Sequence, residues 1–247
     1  VRAKRPSGKP SPSEPVSLLK RVPIAENGEP LVNFLDYCPK LILDKPRWKY
    51  ERETLARESV VRMLARAADL LPKGYRLAVI EGWRPHHIQR RMWMGAYEKW
   101  KERHPDYSHA ALVRLTNRFT APLSDKVPPP HSTGGAVDVS LVDGNGRPFD
   151  LTAPYEFLSR RGFPLDADGL SESARVHRRI LADALLETGL TNYPSEYWHW
   201  SYGDQGWAYR GGHPHAHFGA TAPDGWSPRE AEDIDEPLEW IHQSDNR

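Results

Sequence analysis

Two short segments carry the residues best suited to chemistry: His131-Ser132-Thr133-Gly134-Gly135-Ala136-Val137-Asp138 and, far downstream, Glu196-Tyr197-Trp198-His199-Trp200. Together they offer two imidazoles, one aspartate and a spare glutamate. A catalytic zinc centre needs that inventory: three protein ligands, a fourth position open to water, and a base beside it. His131, Asp138 and His199 are the candidate ligands of one zinc ion per chain, and Glu196 is the candidate base. A metal so placed lowers the pKa of the water at its open position to about 7, and a carboxylate can take the proton as that water attacks a carbonyl. The chemistry such a set suits is peptide hydrolysis.

These residues must be held by elements that aim them at one another. The alternating run from Ala136 to Val142 predicts a strand, turned back at Asp143-Gly144-Asn145-Gly146, with Val137, Val139 and Leu141 on one face and Ala136, Asp138 and Ser140 on the other. Two glycines let the chain bend between His131 and this strand. Tyr197 to Tyr202 predicts a second strand, with Trp198, Trp200 and Tyr202 on one face and Tyr197, His199 and Ser201 on the other. Odd separations on a strand oppose one another, so Glu196 belongs to a preceding turn or bulge. Arg76 to Ile80 reads as a buried strand leading through Glu81-Gly82-Trp83-Arg84, and Pro85 opens a helix reaching about Arg103. Arg84 thus stands at a rigid corner, a permanently charged fork able to stabilise an oxyanion. Taken singly, each residue is more often structural, since buried polar groups are usually satisfied by hydrogen bonds and exposed arginines form weak ion pairs. The joint pattern points to a site.

The remaining elements suggest α+β architecture, with a small, mainly antiparallel sheet flanked by helices and the zinc in a central cleft. From Thr54, the residues Val60, Met63, Leu64, Ala67 and Leu71 recur at helical spacing until Pro72-Lys73-Gly74; Ser173 to Glu187 predicts another helix, burying Val176, Ile180, Leu181, Ala184 and Leu185 and stopped by Gly189. Residues 1–15 read as a flexible basic arm rich in proline and serine, and residues 16–247 as a single domain. Lys and Arg number 34 against 33 Asp and Glu, which argues against a basic face for nucleic acid. One cysteine, Cys38, rules out a disulfide framework or thiolate cluster, leaving His and carboxylate to hold any metal. No apolar run reaches the ~20 residues of a membrane span, so the expectation is a soluble chain, cytoplasmic or exported with its leader removed. His213-Pro214-His215-Ala216-His217 is a rival chelator, but Pro214 and the flanking glycines suggest a loop or edge strand. Most of the nine tryptophans read as core packing, with one or two walling the cleft.

The motif residues resemble the zinc D-alanyl-D-alanine peptidases, and more closely the D-alanyl-D-alanine dipeptidase branch that includes the vancomycin-resistance dipeptidases. His131, Gly134, Ala136 and Asp138 match Ser-x-His-x-x-Gly-x-Ala-x-Asp; Glu196 and His199 match Glu-x-x-His; Glu81-Gly82-Trp83-Arg84-Pro85 is similar to that branch's Asp-Ala-Tyr-Arg-Pro. The resemblance runs from about Thr54 to Tyr209 and implies zinc on His131, Asp138 and His199, Glu196 as base, and Arg84 as transition-state stabiliser. Pro129 stands where the family has serine, which leaves Ser132 or Thr133 to offer a hydroxyl to substrate. Leu151-Thr152-Ala153-Pro154-Tyr155-Glu156 is similar to a Gly-Thr-x-Phe-Asp segment, implying that Glu156 meets the substrate's amine. The function so implied is hydrolysis of D-alanyl-D-alanine or a similar D-configured dipeptide. The alternatives are a carboxypeptidase or endopeptidase on peptidoglycan stem peptides and, on weaker grounds, a silent metal-binding or cell-wall-binding module.

Overall fold

A computed structural model of the chain describes residues 14–122, 124–153, 160–229 and 236–241. Most of the arm, residues 1–13, lies outside the described residues. The first described element is a one-turn helix, α1 (Val16–Leu19). Leu31–Asn33 (β1) and Leu55–Arg57 (β3) form a small antiparallel ribbon, with the one-turn helix α2 (Phe34–Tyr37) and strand β2 (Ile42–Leu43) between them in sequence. Helix α3 (Glu58–Leu70) begins later than the apolar spacing suggests, because Leu55–Arg57 is drawn into pairing with β1. Its residues Val60, Leu64 and Ala67 are fully buried, as the helical period requires.

The main sheet has the order β2-β4-β5-β7-β6, where β4 is Arg76–Glu81, β5 Ala136–Val142, β6 Thr191–Asn192 and β7 His199–Ser201. Only the β2–β4 pair is parallel. The α+β reading therefore holds, with the sheet mainly antiparallel. Strand β5 lies at its centre, and all seven of its residues are buried. Leu77, Val79, Val137, Val139, Leu141 and Trp200 join α3 and α6 (Glu172–Thr188) in the principal core. Alternation then turns Asp138 to the opposite face.

The strand expected from Tyr197 to Tyr202 is shorter, only His199–Ser201. Tyr197 N–H donates to Phe163 O at 2.7 Å, so the chain upstream of His199 serves a loop contact instead of the ladder. Helix α4 (His86–Arg103) follows directly on Pro85, as its position suggests. Two helices carry no strong periodic signal: α5 (His109–Thr116), capped by the Ser108 hydroxyl, and α7 (Gln205–Gly211), capped by the Asp204 carboxylate. No described helix is long and apolar enough to cross a membrane.

Helix α6 ends at Gly189 in the left-handed conformation, with φ of 101°, as expected. Its buried face differs, however: Val176 is 41% exposed, and Arg178 is buried instead with 1% exposed. The guanidinium of Arg178 donates to Leu151 O at 2.8 and 2.6 Å, to Pro164 O at 2.6 Å and to Gly162 O at 3.0 Å, and lies 3.9 Å from the Tyr197 ring centre. A leucine there would leave those carbonyls without donors. Arg178→Leu is expected to destabilise the protein by about 3 kcal/mol or more, since each buried unsatisfied group costs about 1–3 kcal/mol. Thermal unfolding should show a melting temperature lower by about 6–12 °C.

Candidate active site

Asp138 and His199 are register partners across the β5–β7 ladder, so their side chains meet on the sheet face turned away from the core. His199 Nδ1 lies 3.0 Å from Asp138 Oδ1. His131 reaches the same oxygen from the single-turn helix Pro130–Thr133, its Nε2 3.3 Å away. Gly134 ends that turn at φ of 72°, where a side chain would also strike Leu31, so the bend that brings His131 back over β5 requires glycine. The ligand-capable atoms of the three buried residues all lie within 4.8 Å of one another.

At His131 and Asp138 the surroundings favour the neutral imidazole and the carboxylate. His131 Nδ1–H donates to Gly82 O at 2.9 Å, which leaves the Nε2 lone pair facing Asp138. Burial, and then the charge of Arg84, hold the His131 pKa below the ordinary imidazole value. Burial favours the neutral acid at Asp138, but the charges and hydrogen bonds of the two imidazoles outweigh it and hold the carboxyl well below its usual range. Burial also disfavours protonated His199, yet its hydrogen bond to Asp138 and that carboxylate's charge raise its pKa above the ordinary value. Two imidazole nitrogens and one anionic carboxylate, with no thiolate, form a set of the kind that binds zinc.

Glu196 sits in the turn before β7, as the three-residue spacing demands, and lines the same cleft as the three donors. Asn192 Nδ2 donates to Glu196 O at 2.8 Å, and Glu196 N–H donates to Tyr193 O at 3.0 Å, which fixes the backbone beneath its carboxylate. Arg84 also lines the cleft and is buried. Its Nη1 donates to Gln89 Oε1 at 2.7 Å and its Nη2 lies 3.5 Å from Glu81 Oε2. Its buried Nε–H has no acceptor among the described residues. Glu81, in turn, accepts a hydrogen bond from Tyr50 Oη.

Ser132 and Thr133 are placed differently from the other sequence candidates. Both are buried, the Ser132 hydroxyl donates to Arg84 O at 3.0 Å, and the Thr133 hydroxyl donates to Pro130 O at 2.7 Å. They brace the corner and the turn, and the cleft wall is made by their neighbours Pro130 and His131. Glu156 lies outside the described residues. The rival histidines form no group of three donors among the described residues: the His213 ring stacks on Trp207 at 3.9 Å, while the His215 and His217 rings meet edge-on at 5.3 Å.

The cleft, about 850 Å³, is also walled by residues the sequence did not single out. Arg47 lies 4.3 Å over the Trp198 ring, so Trp198 faces the cleft while Trp200 is in the core. That reverses the expected pairing of the two tryptophans on one face, because the strand begins only at His199. Glu14 closes another side, its carboxylate 2.6 Å from Arg210 Nη1. No local motif marks either residue.

Two imidazoles and a carboxylate converging beneath a cleft, on a mainly antiparallel sheet covered by helices, are the build of a metal-dependent hydrolase. The chain belongs to the peptidase family described as D-ala-D-ala dipeptidase, which matches residues 38–218. It is also 37% identical over 93 residues to the D-alanyl-D-alanine dipeptidase of Synechocystis sp.; the aligned part covers 34% of this chain and 38% of that protein.

Proposed function

We propose that the chain hydrolyses D-alanyl-D-alanine or a similar D-configured dipeptide, with zinc held by His131, Asp138 and His199. The observation that carries the reading is the convergence of these donors within 4.8 Å on the wall of a cleft that Glu196 and Arg84 share. Zinc held by those three residues would supply Lewis acidity to the scissile carbonyl and to the attacking water. Glu196 takes the proton from that water and delivers it to the leaving amine as the peptide bond breaks. Arg84 faces the oxyanion that develops on the carbonyl, its fork aimed by Gln89 and Glu81.

Arg84→Lys is expected to lower kcat with little change in KM, by the ~2.7–4 kcal/mol lost with one oxyanion donor, because lysine keeps the charge and loses the fork. Steady-state kinetics on a single dipeptide check this. A raised KM with kcat unchanged would instead make Arg84 a substrate clamp.

A second reading has one observation behind it. At about 850 Å³ the cleft is near the upper end of the ~300–1,000 Å³ of small-molecule sites, roomy for a dipeptide, and room of that kind suits a stem peptide trimmed at its end. Release of D-alanine from D-Ala-D-Ala, compared with release from a pentapeptide ending in D-Ala-D-Ala, separates the two. The dipeptidase reading expects the dipeptide alone to be cut, with loss of activity on chelation. Cleavage confined to the pentapeptide would overturn it in favour of a carboxypeptidase.

A further inference from the structure

We propose that Arg47 is a specificity-determining residue that binds the free carboxylate of the substrate beside the three donors. This inference rests on the hydrolytic reading above and extends it to the substrate's end group. Arg47 follows Pro46 in a loop whose backbone is pinned from outside: Ile241 N–H donates to Arg47 O at 2.9 Å, and Trp48 bridges to Trp240. Its guanidinium carbon lies over the Trp198 ring at 4.3 Å from the ring centre, a cation–π contact that uses no N–H. The side chain keeps 24% of its surface exposed and lines the cleft.

The state of its donors distinguishes it from Arg84, Arg178 and Arg210, while Arg118, which also lines the cleft, is an exposed side chain. Arg178 is spent on backbone carbonyls and Arg210 on Glu14, Thr191 and Ser201, while Arg84 engages Gln89 and Glu81 through its two Nη groups and keeps only a buried Nε–H without an acceptor among the described residues. The nearest acid to Arg47 is Asp138, whose Oδ2 is 4.0 Å from Nη1, too far for a hydrogen bond. Asp138 is moreover already claimed by two imidazoles through Oδ1. Arg47 therefore presents a permanently charged fork, stacked on Trp198, with its N–H groups uncommitted among the described residues. A planar carboxylate is the group that satisfies such a fork bidentately. An anchor so close to the donors fits the terminal carboxylate next to a scissile bond, as in a dipeptide or at the end of a stem peptide. A peptide amidated at that end, or cross-linked through it, lacks the group.

The test pairs Arg47→Gln and Arg47→Lys with D-Ala-D-Ala and its C-terminal amide on the zinc-loaded protein. Binding is measured by calorimetry in parallel with hydrolysis, and folding by thermal melts. For the parent, amidation should weaken binding about 10–100-fold; Arg47→Gln should weaken binding of the free acid by a similar factor and of the amide hardly at all, with Arg47→Lys between. Hydrolysis should show the same factor in KM, with kcat within a few-fold. Equal losses for acid and amide, or a melt showing that Arg47→Gln and Arg47→Lys both unfold, would overturn the proposal and leave Arg47 a structural residue. Absence of hydrolysis by the parent, with the binding pattern intact, would overturn the hydrolytic reading alone.

Discussion

His199→Ala is expected to abolish metal binding and hydrolysis together. The parent should carry one equivalent of zinc by elemental analysis, whereas a variant left with His131 and Asp138 should carry a small fraction of that after dialysis. Lewis-acid stabilisation supplies several kcal/mol of barrier lowering, so turnover should fall by roughly 10³ or more. His215→Ala provides the contrast. Its ring packs against His217 beside Trp207 and is no member of the three-donor group, so that variant should retain its full equivalent. The reverse outcome, zinc kept by His199→Ala and lost by His215→Ala, would move the site to the histidine-rich loop.

Glu196→Ala should behave differently, with zinc retained and hydrolysis lowered by about 10²–10⁴-fold, the usual contribution of a positioned general base. The backbone hydrogen bonds of Glu196 with Tyr193 and Asn192 stay in place when the side chain is truncated. Turnover near the parent's would remove Glu196 from the reaction, and loss of zinc would make it a ligand.

The floor of the site was legible in the sequence and its walls were not. Ala136–Val142 alternates cleanly, so the facing of Asp138 away from Val137 and Val139 follows from period two alone, and the odd spacing of Glu196 and His199 forces the turn that is found. Pro85 and Gly189 mark helix ends by backbone chemistry that acts locally. Arg47, Trp198 and Glu14 depend on partners far along the chain. Trp48 finds Trp240, Glu14 finds Arg210, and Tyr197 leaves the ladder to reach Phe163. None of these pairings has a local pattern. Arg178 was missed for another reason: periodicity assigns apolar residues to the buried side of a helix, and here a guanidinium occupies it because three carbonyls need donors.

That division between floor and walls has a dynamic consequence. Asp138 and His199 belong to paired strands at the centre of the sheet, with fully buried neighbours, whereas Arg47 and Trp198 lie outside the strands, each tied through its own backbone carbonyl, to Ile241 N–H and Val139 N–H. Amide protons of β5 and β7 should exchange only on global unfolding, and those of residues 44–50 and 195–198 through far less costly local openings. Mild warming or low denaturant would then loosen the grip on the substrate's end group while the metal donors stay assembled. Selectivity would be lost before the capacity for chemistry.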